Sequence, residues 1–324
     1  MSMRVLFAGT PEMAVPPLKR IAEVCPIAGV LTAPDQEVGR GRKQAPSPVK
    51  KEAVQLGFPV FTPEKLDAAF RETVQGLHPD ILVVVAYGKI FGPKFLELFP
   101  RGGINLHPSL LPRHRGPSPI PAAILSGDTR TGITVQKIDL RMDAGDILLQ
   151  EIIPLTGEET TQTLTDLCAL RGADLLVEAL QKLEEGTLTP RPQNEAEATY
   201  CKLITKEDGK IQWTLSAIQI ERMVRAYDPW PTAWTLFRGE LLKILRANVL
   251  FNLERDMGNP VSMLPSESLP CGKVIGVDKQ KGILIQTGEG FLSVTRLQLQ
   301  SRKALEFNDF LNGVRDFIGT RLGD

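Results

Sequence analysis

Two rhythms of apolar and polar positions divide this chain. Over its first half, short apolar runs alternate with stretches whose apolar residues return every three or four positions. Residues 3–9 form such a run and stop at Gly9. Thr10, Pro11 and Glu12 then have the chemistry of a helix start: a hydroxyl N-cap, a proline at the first helical position and an acid in the first turn. The spacing over 13–24 continues that helix. Strands are expected over 27–32, 58–61, 80–88 and 103–107, with strand-like runs at 133–138 and 147–153; helices are expected over 49–56, 64–75 and 161–184. Alternation of this kind predicts an α/β domain, a Rossmann-like parallel sheet with helices on both faces. The 80–88 run is apolar on both faces, which places it mid-sheet, and ligands of open α/β sheets collect beyond the carboxyl ends of such strands.

A polar stretch at 188–198, with Pro190 and Pro192, changes the rhythm. Beyond it the chain reads as short strands at 233–237, 241–249, 272–277, 283–287 and 291–299, separated by glycine-containing turns. The expected organisation is a catalytic domain at 1–189, a linker at 190–207 and a smaller β-barrel domain at 208–324. A chain of 324 residues suits two hydrophobic cores.

Composition removes several classes of function. Four cysteines, Cys25, Cys168, Cys201 and Cys271, lie far apart, and with three histidines they assemble no zinc spacing, so no metal is expected. Scattered single cysteines suit a reducing cytoplasm. No apolar run approaches the roughly 20 residues of a membrane span. The first turn lacks the glycine pattern of a dinucleotide site, and no phosphate loop follows the glycines at 39 and 41. Lys+Arg and Asp+Glu number 38 each, so no global field draws the protein to a polyanion. Charge is nevertheless uneven. Residues 1–200 carry 21 basic and 24 acidic side chains, the remainder 17 and 14, and Arg40, Arg42, Lys43, Lys50 and Lys51 crowd one loop. Such a loop and a mildly basic C-terminal part together suit a discontinuous polyanion site.

The densest cluster of chemically capable residues runs from Gly102 to Gly116. Asn105 and His107, two apart in a strand, point to one face at its end. Ser109, Leu110, Leu111 and Pro112 follow in a turn whose conformation Pro108 and Pro112 restrict, leaving backbone amides for a ligand. A second loop holds Asp139, Asp143 and Asp146, any of which can bring a carboxylate to His107, orient the ring and raise its basicity. An amide to stabilise an oxyanion and an imidazole to move protons suit acyl transfer to an amine. No serine or cysteine sits in a nucleophile-elbow context, which favours direct transfer.

These residues resemble a known family. Asn105-x-His107-x-Ser-Leu-Leu-Pro, then Arg115–Gly116 and Met142-Asp143-Ala-Gly-Asp, are similar to the signature of the 10-formyltetrahydrofolate-dependent formyltransferases. The resemblance implies Asn105, His107 and Asp143 as the catalytic group. It implies Ser109, Leu110, Leu111, Pro112, Ala86, Tyr87, Gly88 and Ile90 as the tetrahydrofolate site. Further matches, Phe7-Ala-Gly-Thr-Pro-Glu, the loop from Ala33 to Lys50, Asp228-Pro-Trp-Pro and Thr287-Gly-Glu-Gly-Phe-Leu, are similar to those members that formylate initiator methionyl-tRNA. They imply Arg40, Arg42 and Lys43 as tRNA contacts and an OB-like C-terminal barrel that touches the tRNA. A cytoplasmic monomer is expected. The alternatives are transfer to a sugar nucleotide and hydrolysis of the formyl donor.

Overall fold

The computed structural model describes residues 1–38, 43–251 and 269–323. It divides into two compact units, one of residues 1–120, 129–155 and 163–202, the other of residues 121–128, 156–162 and 203–324.

In chain order the elements up to residue 185 are β1 (Val5–Gly9), α1 (Val15–Ala22), β2 (Ile27–Leu31), β3 (Gln36–Val38), β4 (Lys43–Ala45), α2 (Pro48–Gln55), β5 (Val60–Phe61), α3 (Ala68–Gly76), β6 (Ile81–Val85), α4 (Pro93–Leu96), β7 (Gly103–His107), α5 (Pro119–Ser126), β8 (Arg130–Lys137), β9 (Ile147–Pro154) and α6 (Thr161–Glu185). A seven-stranded sheet runs β5-β2-β1-β6-β7-β8-β9, with β3 and β4 forming a separate antiparallel pair. β6, apolar at every position and wholly buried, is the central strand, as its two-faced hydrophobicity requires. The pairs from β5 to β7 are parallel. β8 and β9 depart from the all-parallel expectation and pair antiparallel to β7 and to each other. The β8–β9 connection is too short for a crossover, and only antiparallel neighbours can be joined that way.

Two helix starts also differ from expectation. Thr10 caps nothing. Its hydroxyl donates to the Tyr87 carbonyl at 3.3 Å and accepts from Ala33 N, while a single 3-10 turn at Glu12–Ala14 leads into α1. The loops that follow β2 and β6 engage this hydroxyl, in place of the helix amides. α3 begins at Ala68 rather than 64, because Asp67 supplies the cap, its carboxylate accepting from Phe70 N at 3.0 Å. The carbonyls of Pro63 and Glu64 instead receive Lys89 Nζ, both at 2.8 Å.

On one side of the sheet Leu6, Leu31, Leu82 and Val84 pack against Phe61, Phe70 and a ladder of rings, Tyr87, Phe91, Phe95 and Phe99, whose successive centroids lie 5.4, 5.3 and 5.6 Å apart. Offset and tilted ring pairs of this kind add to area burial. The ladder anchors the segment that leaves β6 and therefore fixes one wall beside the end of β7.

The second unit contains α7 (Ala217–Ala226), β10 (Ala233–Phe237), β11 (Glu240–Leu250), β12 (Val274–Asp278), β13 (Gly282–Gln286), β14 (Phe291–Leu299), β15 (Leu305–Glu306) and α8 (Phe307–Gly313). α7 starts with a capping box in which Ser216 and Gln219 satisfy each other's backbone amides. The strands form an antiparallel sheet in the order β10-β11-β14-β13-β12, with β15 beside β14. Register shifts on β11 around Arg246 bend it. One core fills its inner face: Trp213, Ile220 and Val224 pack with Phe237, Ile244, Leu292, Phe310 and Phe317. Trp213 Nε1 finds its partner in Thr235 Oγ1 at 3.0 Å. No helix among the described residues is long and apolar enough to cross a membrane.

Candidate active site

Parallel pairing sets Val84 of β6 against Asn105 of β7. The carboxyl ends of two adjacent strands therefore carry Ala86–Tyr87–Gly88 and Asn105–Leu106–His107 side by side. Antiparallel pairing on the other flank sets Gln136 opposite Asn105 and Thr134 opposite His107. Because side chains of one strand face alternate every residue, these four polar groups share one face of the sheet.

His107 is buried, 4% exposed. Its Nε2 lies 2.9 Å from the His114 carbonyl oxygen. A carbonyl only accepts, so Nε2 carries the proton of the neutral ring and Nδ1 holds the lone pair. Nδ1 faces Asp143 Oδ1 at 3.6 Å, longer than a hydrogen bond. The ring is thus oriented by the His114 carbonyl, whereas Asp143 acts on it through its charge. Burial drives the His107 pKa below its ordinary value of 6.5, the negative charge of Asp143 and the His114 hydrogen bond oppose that shift, and the net direction is down. A carboxylate beside the imidazole does not by itself make it more basic than a free histidine; desolvation wins.

Asp143 is held on both oxygens. Oδ2 accepts from Gly116 N at 2.8 Å and Oδ1 from Gln136 Nε2 at 2.9 Å. Its backbone has φ 51°, a left-handed conformation uncommon outside glycine. The neighbouring Gly145 sits so close to β8 that a Cβ there would lie 1.8 Å from the Lys137 carbonyl oxygen. Asp139 and Asp146 turn elsewhere: Asp139 accepts from Arg141 N at 2.8 Å, and Asp146 faces Lys137 Nζ at 3.5 Å. Geometry therefore selects Asp143 from the three acids that spacing leaves open. Asn105 is half-buried, and among the described residues its side-chain amide has no hydrogen-bond partner, which leaves it available to a ligand.

The turn after β7 is more committed than expected. Ser109 N bonds to the His107 carbonyl at 2.9 Å, Ser109 Oγ donates to Arg113 O at 2.6 Å, and Leu111 N bonds to Thr134 Oγ1 at 3.2 Å. Thr134 Oγ1 in turn donates to Ser109 O at 2.7 Å and accepts from Gln150 Nε2, which also reaches Leu111 O. Most of the turn's polar groups thus shape the loop, and Leu110 and Pro112 are the members left half-exposed. Ala86, Gly88 and Ile90 are exposed, while Tyr87 is buried and its hydroxyl has no hydrogen-bond partner among the described residues. Arg40 and Arg42 lie outside the described residues, as does the side chain of Lys43, whose backbone opens β4.

Several residues of this network escape a reading of motifs. Gln136 and Thr134 had a signal: two polar positions, two apart, inside an apolar strand. Gln193 had none, being one polar residue among many in a proline-flanked stretch. Its Nε2 donates to the Asp143 carbonyl at 2.8 Å and the Gly145 carbonyl at 2.7 Å, and its Oε1 accepts from Arg115 Nε and Nη2 at 3.0 and 2.8 Å. Among the described residues no three of His, Cys, Asp or Glu group as a metal-binding set.

Comparison with known proteins gives the chain its family. The family model described as formyl transferase matches residues 3–180, and that of the formyl transferase C-terminal domain matches 203–315. Methionyl-tRNA formyltransferase of Treponema denticola is 46% identical over 98% of both chains. The enzyme of that name from Roseiflexus sp. is 43% identical over all of this chain and 96% of its own. Among solved structures, the N-formyltransferase from Helicobacter canadensis, in complex with folinic acid and dTDP-3-aminofucose, superposes with a TM-score of 0.63 at 20% identity, over 91% of this chain and 98% of its own. HypX from Aquifex aeolicus, in complex with tetrahydrofolic acid, gives 0.61 at 16% identity, over 98% of this chain and 48% of its own. At these identities the two structures speak to fold alone.

Proposed function

The chain belongs to the formyl transferase family, and from that premise we propose that it moves the formyl group of 10-formyltetrahydrofolate to the amino group of methionine on initiator methionyl-tRNA. The observation that carries the reading is the convergence of Asn105, His107 and Asp143 at the end of β7, in a chain similar over nearly its whole length to enzymes named for that substrate.

In this reaction the neutral methionine nitrogen attacks the formyl carbon and a tetrahedral adduct forms. The C–N bond to the folate nitrogen then breaks, releasing formyl-methionyl-tRNA and tetrahydrofolate. One proton leaves the attacking nitrogen and one arrives on the leaving nitrogen, so no net proton is consumed. The unpartnered Asn105 amide donates to the oxyanion of the adduct. His107, neutral with Nε2 engaged, offers only Nδ1 for proton exchange, so the relay runs over the ring edge that faces Asp143. The Asp143 carboxylate stabilises the imidazolium formed midway, until His107 passes that proton to the leaving folate nitrogen.

Ala86, Tyr87, Gly88, Ile90, Ser109, Leu110, Leu111 and Pro112 line the folate site in this proposal. Residues 1–189 form the catalytic domain. Residues 208–324 and the loop with Arg40, Arg42 and Lys43 hold the tRNA. The test is transfer of labelled formyl to methionyl initiator tRNA, run beside methionyl elongator tRNA and a control without tRNA. Label on the initiator that is lost in His107→Ala supports both substrate and site. Donor breakdown without labelled tRNA overturns the assignment in favour of hydrolysis or another acceptor.

A further inference from the structure

Residues 191–201, which read as part of a linker, are bonded along their length to the two loops that form the candidate site. Arg191 and Ile147 exchange both backbone hydrogen bonds, at 2.8 and 2.9 Å, at the exit of the Asp143 loop. Eight residues on, Thr199 O accepts from Arg115 N and Cys201 N donates to Arg115 O, both at 2.8 Å, while Thr199 Oγ1 accepts from His114 N at 2.8 Å. The carbonyl of that same His114 is the group that orients His107. One segment therefore holds both halves of the site.

Gln193 sits between these attachments. A primary amide is the one neutral side-chain group that donates two hydrogens and accepts two at once. Gln193 uses all four: its two hydrogens go to the carbonyls of Asp143 and Gly145, with a longer contact to Oε1 of Gln136 at 3.3 Å, and its oxygen accepts twice from Arg115. Arg115 is wholly buried, and every N–H of its guanidinium is taken, by Gln193, by both oxygens of Glu195 and by Tyr200 Oη. It is thus a fixed support with no donor left for a substrate. The residue that Gln193 grips has the left-handed backbone, a conformation that persists only where its surroundings hold it.

We infer that Gln193 is a positioning residue for formyl transfer: anchored on Arg115, it holds the carbonyls of Asp143 and Gly145 and so keeps the Asp143 carboxylate facing Nδ1 of His107. This rests on the reading of Asp143 as the carboxylate that serves His107. The ring is faced by two titratable groups, Asp143 and His114, and removal of the carboxylate's influence lowers the pH at which His107 protonates.

The experiment compares Gln193→Met, Gln193→Glu, Asp143→Asn and the Asp143→Asn/Gln193→Met double variant, each checked for folding by its thermal midpoint. Gln193→Glu keeps both acceptor contacts to Arg115 and loses the donors, so it separates support of Arg115 from grip on the loop. Each Gln193 variant is expected to lower kcat by about 10²-fold, the scale of a displacement near 1 Å. KM for both substrates stays unchanged, and the acid limb of kcat/KM moves to lower pH as it does in Asp143→Asn. In the Asp143→Asn background the second substitution moves neither quantity further. Wild-type kcat and pH limb in folded Gln193→Glu, or full additivity in the double variant, overturns the inference. A wild-type profile for Asp143→Asn overturns the reading of Asp143 on which it stands, and is recognised separately from the single variant alone.

Discussion

His107 donates its Nε2 proton to the His114 carbonyl at 2.9 Å, seven residues along the same loop. The bond fixes the ring before any substrate arrives, and it decides which nitrogen can exchange protons. Most of what can be measured on this protein depends on that tautomer.

The pH dependence follows directly. With its pKa held below 6.5 by burial, His107 is neutral at pH 7, and the acid limb of kcat/KM is expected below that value. Stability has the same sign: as pH falls below 6.5 the unfolded chain protonates its histidine first, so stability declines until the folded-state value is passed. A pH series of kcat/KM and of unfolding midpoints checks both. In His107→Asn the acid limb of this origin is expected to disappear.

Asn105→Ala removes an amide that has no partner in the protein among the described residues. Folding stability is expected to be nearly unchanged, with kcat reduced by about 10²–10³-fold, the range for loss of one oxyanion donor. Single-turnover formyl transfer alongside a thermal melt separates the two effects. A fall in the melting temperature that accounts for the lost activity contradicts the role.

Gly145→Ala acts through space alone. The new Cβ would lie 1.8 Å from the Lys137 carbonyl oxygen, so the Asp143 loop must move away from β8. A stability cost of about 1–3 kcal/mol is expected, together with loss of activity greater than that cost explains. Denaturant unfolding and initial rates measured on the same preparation test it.

Replacing Arg40, Arg42 and Lys43 together by alanine is expected to raise KM for tRNA while leaving KM for the formyl donor as it was. Each phosphate contact contributes about 0.9 to the slope of log affinity against log salt, so the slope falls by roughly 3 if all three side chains touch phosphates. An unchanged salt slope removes the loop from the tRNA site.

Thiol chemistry gives an independent probe of packing. Burial pushes Cys25 up to about 11 and Cys168 up to about 12, and it raises Cys201 as well. All three are expected to resist alkylation at pH 8 in the native protein, because the thiolate is the reactive form. Cys201 also accepts from Ser118 N at 3.3 Å, so forced modification there should disturb the Arg115–Gly116 loop and cost activity. Peptide mapping after timed alkylation reads both points.

The chain's own pattern determined much of this protein. Apolar runs placed the central strand β6 and the end of β7, the 3.6-residue rhythm placed α6, and Asn105 and His107 stood out because polar groups are rarely spent at a buried strand end. These are local properties: periodicity and turn chemistry act over a few residues and survive in one dimension. Spacing leaves three acids open and the motif resemblance singles out Asp143, but only the tertiary structure gives the physical reason: Gly116 N and Gln136 Nε2 converge on that carboxylate near His107. Tertiary structure also took Thr10 from the helix that its hydroxyl suits it to cap, turned β8 antiparallel, and set Gln193, 50 residues from Asp143, against that residue's carbonyl. Each of those outcomes is a competition between hydrogen-bond partners distant in sequence, and nothing in the local pattern records which partner wins.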